Sequence, residues 1–203
     1  LSAKFAHLIK DEPTTADKES LKRYLTTSLT DRKADLSRIV RALYGLSAFK
    51  EPVLVTLQNI KSDRNLTLLD KVYIALAFDN LGAKEEARAY YKAEIKPALT
   101  TKKPFVYISK SKSQDDNIIA TALLAGLTSS LSEPESDGLG QYAIENYPEE
   151  TLKNFEVLLY LKTALPKLSG DKISFSWRTS AKNGSKTLEN NEVLRLELPR
   201  DEL

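Results

Sequence analysis

Apolar residues recur every three or four positions along the first two thirds of the chain, with polar breaks between the runs. This spacing places the apolar side chains on one face of an α-helix. It predicts about nine helices, at residues 2–9, 17–29, 35–46, 52–60, 68–81, 84–99, 118–131, 139–146 and 151–165. Because the connections between them are short, the economical architecture is an array of antiparallel helix pairs.

Residues typical of helix ends support several of these boundaries. Asp17 and Asp35 precede the second and third apolar runs, as N-terminal residues of helices do. Pro52 suits the first turn of the fourth helix, where its missing N–H costs no hydrogen bond. Gly82 follows the fifth helix and can adopt the left-handed conformation in which many helices end.

Two segments depart from the helical period. Residues 104–109 are β-branched and aromatic, which predicts an extended excursion between helices. Beyond Pro166, apolar and polar residues alternate in 173–177 and in 193–198, while Asn183–Gly184 is a turn signal. These features predict a β-hairpin or two strands of a β-sandwich after the helices.

The predicted fold class is therefore mainly α, with antiparallel helical hairpins and a small C-terminal β portion. We expect a helical domain over residues 1–168 and a β-strand module or tail over residues 169–203. Two strands alone have little against which to bury an apolar face. We therefore expect the β portion to pack on the helices or to complete a larger sheet.

Composition restricts the chemistry that such a chain can perform. Its 203 residues include no Cys and one His, which excludes disulfides, thiolate sites and multi-histidine metal sites. Lys and Arg number 30 against 28 Asp and Glu, interleaved, so charge favours neither nucleic acid nor membrane as a partner. No apolar run approaches the roughly 20 residues of a membrane span. The start at Leu1 and the absence of Met suggest a piece of a longer chain.

Short motifs in a fixed order resemble the helical-toroid region of bacterial proteins similar to α2-macroglobulin. The motifs are residues 42–48, 51–54, 70–77, 81–82, 86–87, 106–107, the helix led by Asp116, 154–156, 160–161, 175–177 and 194–196. The resemblance implies part of an α/α toroid, related in shape to terpenoid cyclases, followed by β modules. It also implies a location outside the cell or on its surface.

The same resemblance implies protein partners, namely other modules of the same chain, with proteases or peptides as external candidates. The reaction for which the family is known uses a Cys–Gln thioester, and a chain without Cys cannot form one. The thioester function therefore does not carry over, and a scaffold role remains. A full toroid of about six hairpins exceeds the chain, so we expect only part of the ring.

Residues 114–117 resemble the acidic motif of squalene-type cyclases without its first Asp. Asp115 and Asp116 head a predicted helix, and a carboxylate at that position is a favourable N-cap. A general acid would need apolar enclosure to raise its pKa, whereas the preceding residues are Lys and Ser. Helix capping is the favoured interpretation, and both residues are candidate surface contacts.

Tyr90 and Tyr91 are the other candidate surface contacts. Together with Tyr73 and Phe78 they could line an aromatic groove, although aromatics at helical spacing usually belong to the core. His7 lies among apolar residues with no activated nucleophile in view, so packing is its favoured role. We expect no catalytic, cofactor-binding or metal-binding residue and no cofactor.

Three functions follow from these observations. The leading hypothesis is a non-catalytic helical scaffold or interaction domain of a large secreted or surface protein. Residues 76–93 resemble the middle of a tetratricopeptide repeat, which makes a peptide-binding helical array the alternative. A toroid enzyme, such as a cyclase, lyase or glycoside-processing enzyme, is the third. It would need Asp115, Asp116, Glu145 and Glu156 to converge on one pocket.

Overall fold

The computed structural model describes residues 15–110, 114–146, 173–178 and 183–188. Over these ranges the chain is mainly helical, with seven α-helices and two antiparallel sheets of two strands each. The predicted helices at 2–9 and 151–165, and the predicted strand at 193–198, lie outside the described residues. The chain divides into two compact units, Leu1–Thr163 and Ala164–Leu203. The predicted boundary after residue 168 also lies outside the described residues.

The first unit contains all seven helices and one sheet. The helices are α1 (Thr15–Thr30), α2 (Leu36–Ala48), α3 (Leu54–Ile60), α4 (Leu68–Asn80), α5 (Lys84–Tyr90), α6 (Gln114–Ser130) and α7 (Ser136–Glu145). The strands are β1 (Leu99–Lys102) and β2 (Phe105–Ile108), and the second unit contributes β3 (Ile173–Arg178) and β4 (Asn183–Leu188).

Helix α4 lies at the centre of the first unit. It packs against α2, α3, α5 and α6, and its consecutive residues from Val72 to Phe78 are all buried. A helix with neighbours on every side needs apolar or small residues all around, which the Ala and Leu content of α4 supplies. Helix α6 has the same character, and its small residues allow α7 to approach closely.

Two predicted helix ends are confirmed. The Asp35 side chain accepts a hydrogen bond from the backbone N–H of Arg38 at 2.7 Å, as an N-cap does. Gly82 follows α4 with φ of +82°, a conformation that is costly for residues with a side chain. The prediction for Pro52 is wrong, because α3 begins only at Leu54. Pro52 therefore precedes the helix instead of occupying its first turn.

The predicted helix over 84–99 is α-helical only as far as Tyr90. A π-helical turn, Tyr91–Ile95, and a 3₁₀ turn, Lys96–Ala98, follow it. Pro97 explains the change, because it has no N–H to donate and its ring would clash with the carbonyl four residues earlier in an α-helix. In the π turn the N–H of Lys96 instead donates to the carbonyl of Tyr91, five residues back.

The extended excursion predicted at 104–109 is one arm of a β-hairpin. β2 pairs antiparallel with β1, in a register that joins Leu99 to Ile108 and Lys102 to Phe105. The sequence pattern missed β1, because its residues lie in or just after the predicted helix. The backbone N–H of Ile108 donates to Thr121 Oγ1 at 3.0 Å, which ties the end of β2 to α6.

The second unit contains a hairpin whose turn differs from the prediction. β3 pairs antiparallel with β4, with Trp177 opposite Gly184 and Arg178 opposite Asn183. The Asn-Gly pair therefore begins a strand and is not the turn. Such a pair forms a hairpin turn only when Asn and Gly are the two central residues of the turn, and here both residues are paired with β3.

Gly138, which the sequence marks as a break before a helix, lies inside α7. A Cβ atom on Gly138 would stand 3.0 Å from the carbonyl oxygen of Pro104 and 3.0 Å from Val106 Cγ2. The missing side chain therefore allows the β1–β2 hairpin to lie directly on α7. Gly126 in α6 is different, since a Cβ there would have no neighbour within 4 Å.

This contrast predicts opposite effects of the same substitution. We expect Gly138→Ala to lower the free energy of unfolding by about 1–2 kcal/mol, because the added methyl group overpacks the contact with the hairpin. Gly126→Ala should raise it by roughly 0.5–1 kcal/mol, because alanine loses less entropy in a helix. Urea denaturation of the two variants would measure both values. Stabilisation by Gly138→Ala would contradict the close contact.

Candidate functional site

A cavity of about 410 Å³ opens in the first unit where four elements meet. These elements are α2, the first turn of α4, the end of β2 and the first turns of α6. The lining residues are Ser37, Arg41, Thr67, Leu68, Leu69, Asp70, Ile108, Lys110, Asp116 and Ala120. We call this cavity the charged cleft, since four of its lining residues carry ionisable side chains.

The floor of the charged cleft is a hydrogen-bonded cluster around Asp70, which is only 2% exposed. Its Oδ2 atom accepts hydrogen bonds from Ser37 Oγ at 2.8 Å, Thr67 Oγ1 at 2.6 Å and the Thr67 backbone N–H at 3.0 Å. The Asp70 N–H in turn donates to Thr67 Oγ1, which completes a capping box at the start of α4. Three donors compensate the burial of this carboxylate.

The rim of the charged cleft carries two cations, Arg41 and Lys110, and both side chains are exposed. Arg41 lies one helical turn after Ser37 and hence on the same face of α2. Within the part of the chain that the structure describes, neither cation makes an ion pair or a hydrogen bond. The Asp116 side chain also lines the rim and is exposed.

Two residues of the lining also carry backbone donors from the start of a helix. Leu68 and Leu69 are the first two residues of α4, where a helix has no carbonyl to accept from the N–H groups. Both residues line the cleft, and in the described ranges neither N–H has a hydrogen-bond partner. The cleft therefore combines unpaired donors and two positive charges with a buried carboxylate that is already hydrogen-bonded.

Of the two acidic candidates from the sequence, Asp116 lines the charged cleft and Asp115 does not. Both lie in the first turn of α6, which begins at Gln114. The expectation that one of them is the N-cap residue is therefore wrong, because the N-cap precedes the first helical residue. Their charges still lie at the end of the helix that favours anions.

The enzyme hypothesis required four carboxylates in one pocket. Glu145 accepts a hydrogen bond from Gln141 Nε2 at 3.0 Å on the exposed side of α7, and it does not line the cleft. Glu156 lies outside the described residues. Among the described members of that set, only Asp116 lines the charged cleft.

Tyr90 and Tyr91 are core residues, only 7% and 0% exposed, so the expectation of a surface groove lined by them is wrong. The Tyr90 hydroxyl donates to the Lys61 carbonyl at 2.9 Å, and the Tyr91 hydroxyl donates to Glu135 Oε2 at 3.1 Å. Burial raises the pKa of both phenols well above the usual value. Both hydroxyl groups are therefore hydrogen-bonded inside the fold.

A second charged cluster joins α5 and the segment after it to the loop between α6 and α7. Arg88 Nε bonds Glu133 Oε1 at 3.2 Å, and its other end donates to the Leu131 carbonyl at 2.9 Å. Lys96 Nζ lies 2.6 Å from Glu135 Oε1. Burial raises the pKa of Glu135, but hydrogen bonds from Lys96 and Tyr91 outweigh it and leave that pKa below its usual value. This cluster stabilises the loop.

Sequence reasoning missed most of the charged cleft. The spacing of Thr67 and Asp70 is that of a capping box and could have been recognised. Arg41 and Lys110 carry no local signal, because only the folded chain brings them to one cavity. Ser37 could not be paired with Asp70 from periodicity, since 33 positions separate them.

Comparisons with known proteins add no relative. No protein-family model matches the chain, and neither a curated protein nor a solved structure matches it. In the described ranges, no group of three or more His, Cys, Asp or Glu side chains could hold a metal ion. No described helix has the length and hydropathy needed to cross a membrane. Fold and site together define a mainly helical protein with a charged cleft.

Proposed function

We propose that this chain is a non-catalytic helical scaffold and interaction domain of a large secreted or cell-surface protein similar to α2-macroglobulins. In this role the helices of the first unit hold a rigid shape, and the charged cleft contacts another protein. The partner is another module of the same chain, a protease or a peptide. The resemblance of the sequence motifs supports the family context.

The observation that carries the proposal is the arrangement of charge in the cleft. Arg41 and Lys110 stand at the rim without partners among the described residues, whereas the buried Asp70 is committed to three hydrogen bonds. Recognition needs available charges on a fixed frame. Catalysis would instead need a nucleophile or an acid and base that are free to react within reach of one another, and the lining carboxylate Asp70 is already held by three hydrogen bonds.

Site-specific photo-crosslinking in the intact parent protein, expressed in its native host, tests the contact role. A photoreactive phenylalanine analogue at position 69, a half-buried residue of the cleft lining, samples the cleft and leaves both rim cations in place, and the same analogue at position 84 is the matched control. Lys84 is exposed and does not line the cleft. We expect crosslinks from position 69 that mass spectrometry maps to another module or to a secreted protein.

Two results would contradict the proposal. One is a crosslinking pattern at position 69 that equals the pattern at position 84. The other concerns location, since a surface protein should release peptides of this chain when intact cells are treated with trypsin. Protection of the chain until the cells are lysed would exclude the secreted or surface assignment.

A further inference from the structure

We infer that the charged cleft binds an extended, carboxylate-bearing segment of a partner protein, with the carboxylate seated between Arg41 and Lys110. This inference rests on the proposed function and adds the chemistry of the partner. The cleft is the one described cavity with two cations that lack partners and backbone N–H groups that lack acceptors. Carboxylates accept hydrogen bonds from both kinds of donor.

The donors of the cleft suit a planar anion. An Arg guanidinium binds a carboxylate through two parallel hydrogen bonds, and Lys110 adds a second positive charge that need not be aligned. Leu68 and Leu69 line the same cavity, and their N–H groups, which have no acceptor in the described ranges, supply neutral donors. The Oδ2 atom of the buried Asp70 already accepts three hydrogen bonds, and neither rim cation makes an ion pair with Asp70.

The negative charges of the cleft favour a peptide over a small dianion. Asp116 on the rim and Asp70 in the floor both repel an ion such as phosphate, which carries its charge in one compact group. A peptide segment spreads its groups, and its backbone N–H can donate to Asp116 while its carboxylate lies near Arg41. A volume of about 410 Å³ admits side chains of a segment and excludes a folded domain.

Binding to the 203-residue chain can be followed by NMR through the backbone N–H signals of Leu68 and Leu69. The probe is an acidic peptide that alternates Gly with Glu, compared with the same peptide carrying Gln and with inorganic phosphate. We expect the acidic peptide to shift both signals saturably and its affinity to fall as salt is added. The Gln peptide should leave them in place.

Charge-reversal variants test the residues. Arg41→Glu and Lys110→Glu should each weaken binding of the acidic peptide about tenfold or more, because each removes a charge-assisted contact. Arg32→Glu and Lys84→Glu are matched controls, since both side chains are exposed and neither lines the cleft. They should bind the peptide within about twofold of the unmodified chain. Circular dichroism would confirm that each variant is folded. If Arg41→Glu does not fold, Arg41→Gln would test the loss of the same charge.

Three outcomes would overturn the inference. They are unchanged affinity in a variant that reverses both rim charges, equal binding of the Gln peptide, and displacement of the peptide by inorganic phosphate at the same concentration. If the peptide fails while crosslinks from position 69 still reach a protein, the partner chemistry is wrong and the proposed contact role stands. If those crosslinks are also absent, the contact role fails as well.

Discussion

Replacement of Asp70 by alanine should lower the free energy of unfolding by about 3 kcal/mol. The substitution removes the acceptor for three donors on two segments, at a site that is 2% exposed. It breaks the capping box of α4 and also the tie between α4 and Ser37 of α2. Because α4 is the central helix of the unit, the loss affects the whole fold.

Urea denaturation with circular dichroism would measure this effect. Ser37→Ala is the matched control, since it removes one of the three donors and should cost only about 1 kcal/mol. The double variant should cost less than the sum of the two, because both substitutions break the same hydrogen bond. A variant Asp70→Ala as stable as Ser37→Ala would show that the cluster does not anchor α4.

Phe78→Ala should have an effect of similar or larger size, about 3–5 kcal/mol. The Phe78 side chain is 0% exposed on α4, and its ring meets that of Tyr90 edge to face with centroids 6.2 Å apart. Truncation leaves a cavity at the contact between α4 and α5 that neighbours fill only in part. The lost aromatic contact adds to the cost.

Two other substitutions serve as controls for this prediction. Phe78→Leu keeps an apolar side chain in the site and should cost less than half as much as Phe78→Ala. Val55→Ala removes apolar atoms from a side chain that is 68% exposed and should change stability by no more than about 0.5 kcal/mol. Thermal and urea unfolding of the three variants would give the order. If Phe78→Ala behaved like Val55→Ala, the ring could not be part of the packed core.

Local signals account for the parts of the fold that the sequence predicts well. The helical period identifies each of the seven α-helices in the described ranges, and Asp35 and Gly82 mark helix ends because capping depends on adjacent residues. The mainly helical class and a small antiparallel β portion follow from the same patterns.

The misses have a different physical origin, since they depend on partners distant in sequence. Pro97 ends the helix just before β1, but the strand character of β1 comes from its pairing with β2. Asn183–Gly184 has the composition of a turn, yet the register with β3 makes it a strand. Gly138 has the composition of a break before the predicted helix at 139–146. In the fold it lies inside α7, where it contacts the β1–β2 hairpin.

The charged cleft could not be predicted from the sequence for the same reason. Its floor joins Ser37 to Asp70, and its rim joins Arg41 to Lys110, so no window of sequence contains either pair. Asp116 was a candidate because residues 114–117 resemble the acidic motif of squalene-type cyclases, although that motif lacks its first Asp here. Its position at the cleft follows from the packing of α6 against the end of β2.

In the charged cleft, the floor and the rim have different roles, so substitutions at the two places have different consequences. Changes at Asp70 alter the capping of α4 and therefore the amount of folded protein. Changes at Arg41 or Lys110 alter two exposed side chains that make no ion pair or hydrogen bond with the described residues. Relatives that share this framework could thus exchange one partner for another through the rim alone, with their stability left intact.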